Sequence, residues 1–195
     1  MSRYDCKKIK KKLKTELDKA RYEHTIGVMD TAACLAMRYD CDFEKAQVAG
    51  LLHDCAKCIP NDSKLRMCKK FGIEITSSEK KAPFLLHAKL GAYIAKKEYE
   101  VDDPEILSAI ACHTTGKPDM SLLDKIIFIA DYIEPGRDKA PNLQEIRRLA
   151  FQDIDKALIH ILKDTLSYLE ESGQQIDPTT RAVLEYYTGG LANDN

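Results

Sequence analysis

A chain of 195 residues is long enough to bury most of its apolar surface in one core and short for two. Its 30 lysines and arginines against 31 acidic residues leave a net charge of −1, which removes any electrostatic reason to expect nucleic acid or an anionic membrane as partner. The ligand to expect is small.

In chain order, the run Lys7, Lys8, Lys10, Lys11, Lys12 and Lys14 is interleaved with Ile9, Leu13 and Leu17 at helical spacing. It reads as one solvated helix face, since no aromatic stacking platform accompanies it. Apolar residues then recur at three and four over 18–39, 42–57, 83–97, 104–113, 121–134, 143–151 and 154–171. Asp42 before Lys45 and Ala46, Ser121 before Asp124, and Asp177-Pro178 have the form of helix starts; Gly116, Pro135-Gly136 and Gly173 have the form of stops. Few stretches alternate like strands, so the expected fold class is all-α, a helical bundle in a single domain, 1–195. Its motif-bearing part covers about 18–137, and C-terminal helices at about 142–187 complete the bundle. Fraying is expected only in the first few residues and after Tyr187.

No apolar run approaches the ~20 residues of a membrane span, and the start lacks the apolar core of a signal peptide. A cytoplasmic location is expected. Cys6, Cys34, Cys41, Cys55, Cys58, Cys68 and Cys112 form an odd set without framework spacing, which suits reduced thiols. Cys55 and Cys58 make a CxxC, but no second pair completes a zinc cage.

The chemistry gathers around the five histidines, four of which sit on or at the end of expected helices beside small or apolar neighbours. A buried imidazole needs an acceptor or a metal, and any one of them alone reads as a satisfied core residue. Leu51-Leu52-His53-Asp54 is more demanding, because an adjacent imidazole and carboxylate in an apolar helix are expensive to bury unless a cation offsets them. Neighbours on a helix diverge by about 100°, yet both can reach one cation, and the second carboxylate oxygen can bridge to another. Lys57 follows at i+3 from Asp54, placed either to meet an anionic substrate or to form a plain salt bridge. His160, on a late amphipathic helix, reads as structural.

His24, then His53-Asp54, then Asp131 follow an order H…HD…D, and their flanks are specific: Arg21-Tyr22-Glu23-His24-Thr25, Ala49 to Lys57, Leu86-His87-Ala88-Lys89-Leu90-Gly91-Ala92, Ala109 to Gly116, and Ile129 to Arg137. These stretches resemble the HD superfamily of metal phosphohydrolases, and within it the bacterial YqeK family, from about Arg21 to about Arg181. Members of that family are described as symmetrical diadenosine tetraphosphate hydrolases. The resemblance implies a binuclear metal centre with His24, His53, Asp54 and Asp131 on one metal, and Asp54 as bridge with His87 and His113 on the other. It names iron as the usual metal, whereas the donor set alone suits iron, manganese or zinc equally. It also implies a homodimer, although amphipathic late helices can equally pack internally.

Asp54 and Lys57 are the catalytic candidates, and Arg21, Lys57, Thr114, Gly116 and Arg137 the candidates for substrate binding. Arg21 lies three residues before His24 on the same face; Thr114 to Gly116 end the helix bearing His113; Arg137 follows the stop at Pro135. The expected reaction is symmetric hydrolysis of a dinucleoside polyphosphate, diadenosine tetraphosphate plus water giving two ADP, by a metal-activated hydroxide. Two alternatives stay open: an HD phosphohydrolase acting on a nucleoside monophosphate, dNTP or cyclic dinucleotide, and a non-catalytic nucleotide-binding regulator. All six ligand positions being intact argues against the second. A Cys55 thiol, if exposed, would make the protein sensitive to oxidation.

Overall fold

The computed structural model describes residues 3–189, and among these every regular element is helical. The helices are α1 Cys6–Glu16, α2 Lys19–Arg38, α3 Phe43–Leu52, α4 Asn61–Lys70, α5 Ser77–Lys81, α6 His87–Glu98, α7 Pro104–Cys112, α8 Leu122–Ile133, α9 Leu143–Ala150, α10 Ile154–Glu171 and α11 Pro178–Gly189, with a 3-10 turn at Pro83–Leu86. The all-α expectation holds. Residues 1–2 and 190–195 lie outside the described part, so most of the expectation about frayed ends falls there; α11 itself runs past Tyr187 to Gly189.

Short polar side chains start the helices, at Asp42 and Ser121 as anticipated and at Asp18 in addition. Asp18 accepts from the Arg21 amide, Asp42 from Lys45, and Ser121 and Asp124 form a reciprocal capping box. Gly116 and Gly173 turn the chain with φ of +70° and +64°. Elsewhere the helices differ from expectation. The stretch 42–57 is helical only to Leu52; His53 takes the cap position, and 54–59 continue as tight turns, Lys57 N–H to Asp54 carbonyl at 2.9 Å and Ile59 to Ala56 at 3.3 Å. Further on, Ile59 precedes Pro60, and the residue before a proline avoids helical geometry, so no helix resumes before Asn61. The stretch 83–97 also splits: Pro83 opens a 3-10 turn, and the α-helix begins only at His87. Helix α4 was not anticipated because only Lys64 and Cys68 of its ten residues are buried, too few for an apolar stripe.

Helix α3 is the centre of the bundle. From Val48 to Leu52 every residue is buried, with α2, α7 and α8 packed around it, so the usual one-sided periodicity is absent. Its approach to α2 is set by Gly50. A Cβ at that position would lie 2.8 Å from the Met29 Cα and 3.1 Å from its nitrogen, both backbone atoms that cannot give way locally. The late helices close the other side, α10 packing against α8, α9 and α11.

On an isolated helix Gly50→Ala would add about 1 kcal/mol of propensity. Here overpacking is expected to win and to destabilise by about 1–3 kcal/mol, measured as a lower urea midpoint. An unchanged or higher midpoint would show that the α2–α3 seam is not as tight as described.

Candidate metal centre

Five helices deliver the cluster. His24 comes from the middle of α2, His53 from the end of α3 with Asp54 just beyond it, His87 from the start of α6, His113 from the end of α7 and Asp131 from near the end of α8. All six converge. On one side, His24 Nε2 lies 3.3 Å from His53 Nε2 and 2.9 Å from Asp131 Oδ1, and His53 Nε2 lies 3.5 Å from Asp54 Oδ2. On the other, Asp54 Oδ1 lies 3.1 Å from His87 Nε2 and 3.5 Å from His113 Nε2, and those two nitrogens are 3.1 Å apart. Asp54 thus turns one oxygen to each pair of imidazoles.

The outer nitrogens decide what the inner ones present. Nδ1 of His53, His87 and His113 donates to the carbonyls of Gly50, Phe84 and Ile110, at 2.7, 2.6 and 2.8 Å. Each acceptor lies three residues back, exposed by a helix end or a 3-10 turn. His24, in mid-helix, meets Glu134 Oε1 instead at 3.0 Å. With the protons assigned by these contacts, the Nε2 lone pairs face one another and a carboxylate across little more than 3 Å. Asp54 Oδ1 is fully buried and has no hydrogen-bond partner. Lone pairs so arranged repel unless a cation lies among them, and an imidazole-carboxylate set without thiolates is one that divalent iron, manganese or zinc accepts. The residues present therefore fit a metal.

Without a cation, the rings can favour the carboxylate charges only by turning a proton toward them, the part a metal would otherwise take. Burial alone would raise the Asp54 carboxyl, but the facing His53, His113 and His87 reverse this and hold it well below the usual carboxylate range. Asp131 is likewise held low against its burial, by its contact with His24 and the nearby His53. Burial drives His87 down to about 4, with the Asp54 contact opposing and His113 and Lys57 adding to the drop. Its ring is neutral near pH 7 and keeps a lone pair on Nε2.

A cleft of about 630 Å³ opens over the cluster, within the range of ~300–1,000 Å³ usual for small-ligand sites. Its rim carries Arg21, Lys57, Arg137 and Lys139, and Phe128, Tyr132 and Ile161 supply apolar and aromatic wall. Arg21 donates to Asp54 Oδ2 at 2.6 Å, and Arg137 donates to Asp131 Oδ1 at 2.8 Å. Lys57 Nζ is 3.2 Å from His87 Nε2 and 3.8 Å from Asp54 Oδ1, closer to the imidazole than to the carboxylate of a plain salt bridge. Thr114 Oγ1 lies 3.2 Å from both His87 and His113 Nε2.

Two expectations change, and one residue was missed. Gly116 does not line this cleft; a Cβ there would meet Val183 of α11 at 3.2 Å, so its role is a left-handed turn under that helix. Cys55 is buried against the Gly91 carbonyl, and burial followed by the Asp54 charge pushes its thiol up, which makes it a poor target for oxidation. Glu134 reads in the sequence only as the end of a helix before Pro135. One signal could have found it: Gly27, one turn after His24 in a helix interior, is the residue beside which its carboxylate fits. His160 stays half-buried on α10, outside the cluster.

Residues 21–136 match the family model described as HD domain, and the chain belongs to that family. Within it, the chain belongs with the proteins named symmetrical bis(5'-nucleosyl)-tetraphosphatase. It is 39% identical over 178 residues to the one from Bacillus subtilis, covering 91% of this chain and 95% of the relative. It is 41% identical over 171 residues to the one from Halalkalibacterium halodurans, covering 88% and 90%. A crystal structure from Clostridium acetobutylicum, described as a predicted HD superfamily hydrolase involved in NAD metabolism, superposes with a TM-score of 0.92 at 41% identity, over 96% of this chain and 98% of that one.

Chelator-treated protein is expected to lose stability as pH falls from 6.5, the ordinary value of a histidine, to about 4, the value for folded His87. Over that window the unfolded ring binds a proton that the folded ring refuses, so acid favours unfolding. Thermal melts across this range should show the decline, and His87→Gln should remove part of it; a flat profile in the unaltered protein would contradict the buried neutral ring.

Proposed function

We propose that this protein is a metal-dependent symmetrical bis(5'-nucleosyl)-tetraphosphatase, hydrolysing diadenosine tetraphosphate to two ADP. The observation that carries the reading is the buried Asp54 carboxylate, with an imidazole pair on each oxygen, at the floor of a basic cleft. The names of the relatives supply the substrate class.

In this reading His24, His53, Asp54 and Asp131 hold one metal, and Asp54, His87 and His113 hold the second; iron is the first choice, with manganese or zinc as alternatives. When bound, the metals supply Lewis-acid polarisation of phosphoryl oxygens and lower the pKa of a water. The chain does the rest. Lys57, Arg21 and Arg137 take the negative charge of the polyphosphate, with Thr114 as a further donor at the floor. Phe128, Tyr132 and Ile161 offer a face against which a base can pack. Water adds to one of the two central phosphorus atoms, the central P–O–P bridge breaks, and the bridging oxygen leaves with the other half, so each product is ADP. A cytoplasmic homodimer completes the proposal: exposed Phe151 and Tyr168 on or beside the late helices are apolar surface that internal packing leaves unused. No helix of the described residues is long and apolar enough to cross a membrane.

The test pairs elemental analysis with chromatography of products. Two metals per chain and ADP as sole product are expected; Asp54→Ala and His53→Ala should lose metal and activity together, and retention of normal hydrolysis by metal-replete Asp54→Ala would overturn the assignment. A panel with mononucleotides, dNTPs, cyclic dinucleotides and NAD separates the other HD chemistries. Lys57→Ala and Arg137→Ala are expected to lower kcat/KM about a hundredfold while leaving metal content intact. Loss of metal in either would recast that residue as support for the cluster.

A further inference from the structure

We infer that Glu134 is a positioning residue for the cluster: its buried carboxylate holds His24 with Nδ1 protonated and Nε2 aimed inward. The inference rests on the proposal that His24 is a metal ligand, and concerns a residue outside the proposed ligand set.

The need for Glu134 comes from where the histidines sit. His53, His87 and His113 stand at helix boundaries, and each finds its acceptor in its own backbone three residues back. His24 lies inside α2, where the nearby carbonyls already serve the helix ladder. Without an outside acceptor its ring could turn, or carry its proton on Nε2 and be useless to a cation. Glu134 provides that acceptor at 3.0 Å, from the cap of the helix that also carries Asp131. A carboxylate so placed fixes the tautomer and the orientation of the ring.

The surroundings are shaped to the carboxylate. A Cβ on Gly27 would stand 2.5 Å from Glu134 Oε2, and one on Gly136 would stand 3.0 Å from both its oxygens. The Gly136 amide donates to Oε2 at 2.5 Å, which leaves Oε1 for the imidazole. The backbone is pinned as well. The Arg147 guanidinium, reaching from α9, donates to the carbonyls of Ile133, Glu134 and Arg137, each at 2.9 Å. Two glycines, an amide and an arginine thus hold one side chain, itself only 3% exposed, against one ring.

The experiment measures zinc binding by competition with a chromophoric chelator, alongside thermal melts of the metal-free protein. Glu134→Ala is expected to weaken one of two bound zinc ions about 10–100-fold and to leave the other unchanged. Glu134→Gln, which keeps an acceptor oxygen but opposes an amide N–H to that of Gly136, should fall between. Gly27→Ala is the second variant: it keeps the carboxylate, favours the helix, and displaces only the flexible end of Glu134. It should also weaken zinc without lowering the metal-free melting temperature. If zinc affinity is unchanged in both variants while Glu134→Ala melts earlier, Glu134 is only a loop staple and the inference fails, with the metal-site proposal intact. If the unaltered protein binds no zinc, iron or manganese, both fall together.

Discussion

Asp54 sits with both carboxylate oxygens inside a helical core, and one of them has no donor at all. Such a charge is tolerated only where positive charge or hydrogen bonds replace the lost water, and the surrounding apolar helices offer neither from their own backbones. The arrangement of the bundle follows from that need: α2, α6, α7 and α8 each bring an imidazole or carboxylate to the same point, and Arg21 covers the remaining oxygen. Stability and chemistry are therefore in tension at this residue, and a cation is what relieves it.

Much of this was legible in the residues. The six converging side chains were all named: His53 and Asp54 because a charged pair in Leu51-Leu52-His53-Asp54 is expensive to bury without a cation, and His24, His87, His113 and Asp131 because their flanks resemble the HD superfamily. The helices with an apolar stripe were legible too, as was the capping of α3 and α8. What escaped was of another kind. Helix α4 turns a mostly charged surface to solvent, so no period marks it. The breaks at His53 and His87 leave no mark in the sequence, because the local apolar pattern runs straight through them. Glu134 and Arg147 act through contacts that no spacing along the chain can show. Gly116 misled because a glycine at a helix end satisfies a turn and a ligand approach equally well in sequence, and only Val183 distinguishes them.

The helix breaks themselves have a chemical use. A histidine at a helix boundary finds a free carbonyl three residues back, so the same feature that stops the helix also orients the ring. Three rings of the cluster are prepared in this local way, whereas His24 depends on the arrival of α8 and its Glu134. The basic residues of the rim are less settled: Arg21 and Arg137 each lie on a cluster carboxylate and not across the cleft.

The seam at Gly50 bears on how the site responds to force. Where two backbones touch with no side chain between them, there is no rotamer to turn and no methyl group to compress, so the spacing of α2 and α3 has almost no give. His24 and the His53-Asp54 pair ride on the two sides of that seam. A ligand entering the cleft can draw Arg137 and its loop along with it, yet the floor it presses against behaves as a hard stop. The seam thereby fixes the separation of His24 from the His53-Asp54 pair by backbone contact, the stiffest kind a helical bundle offers.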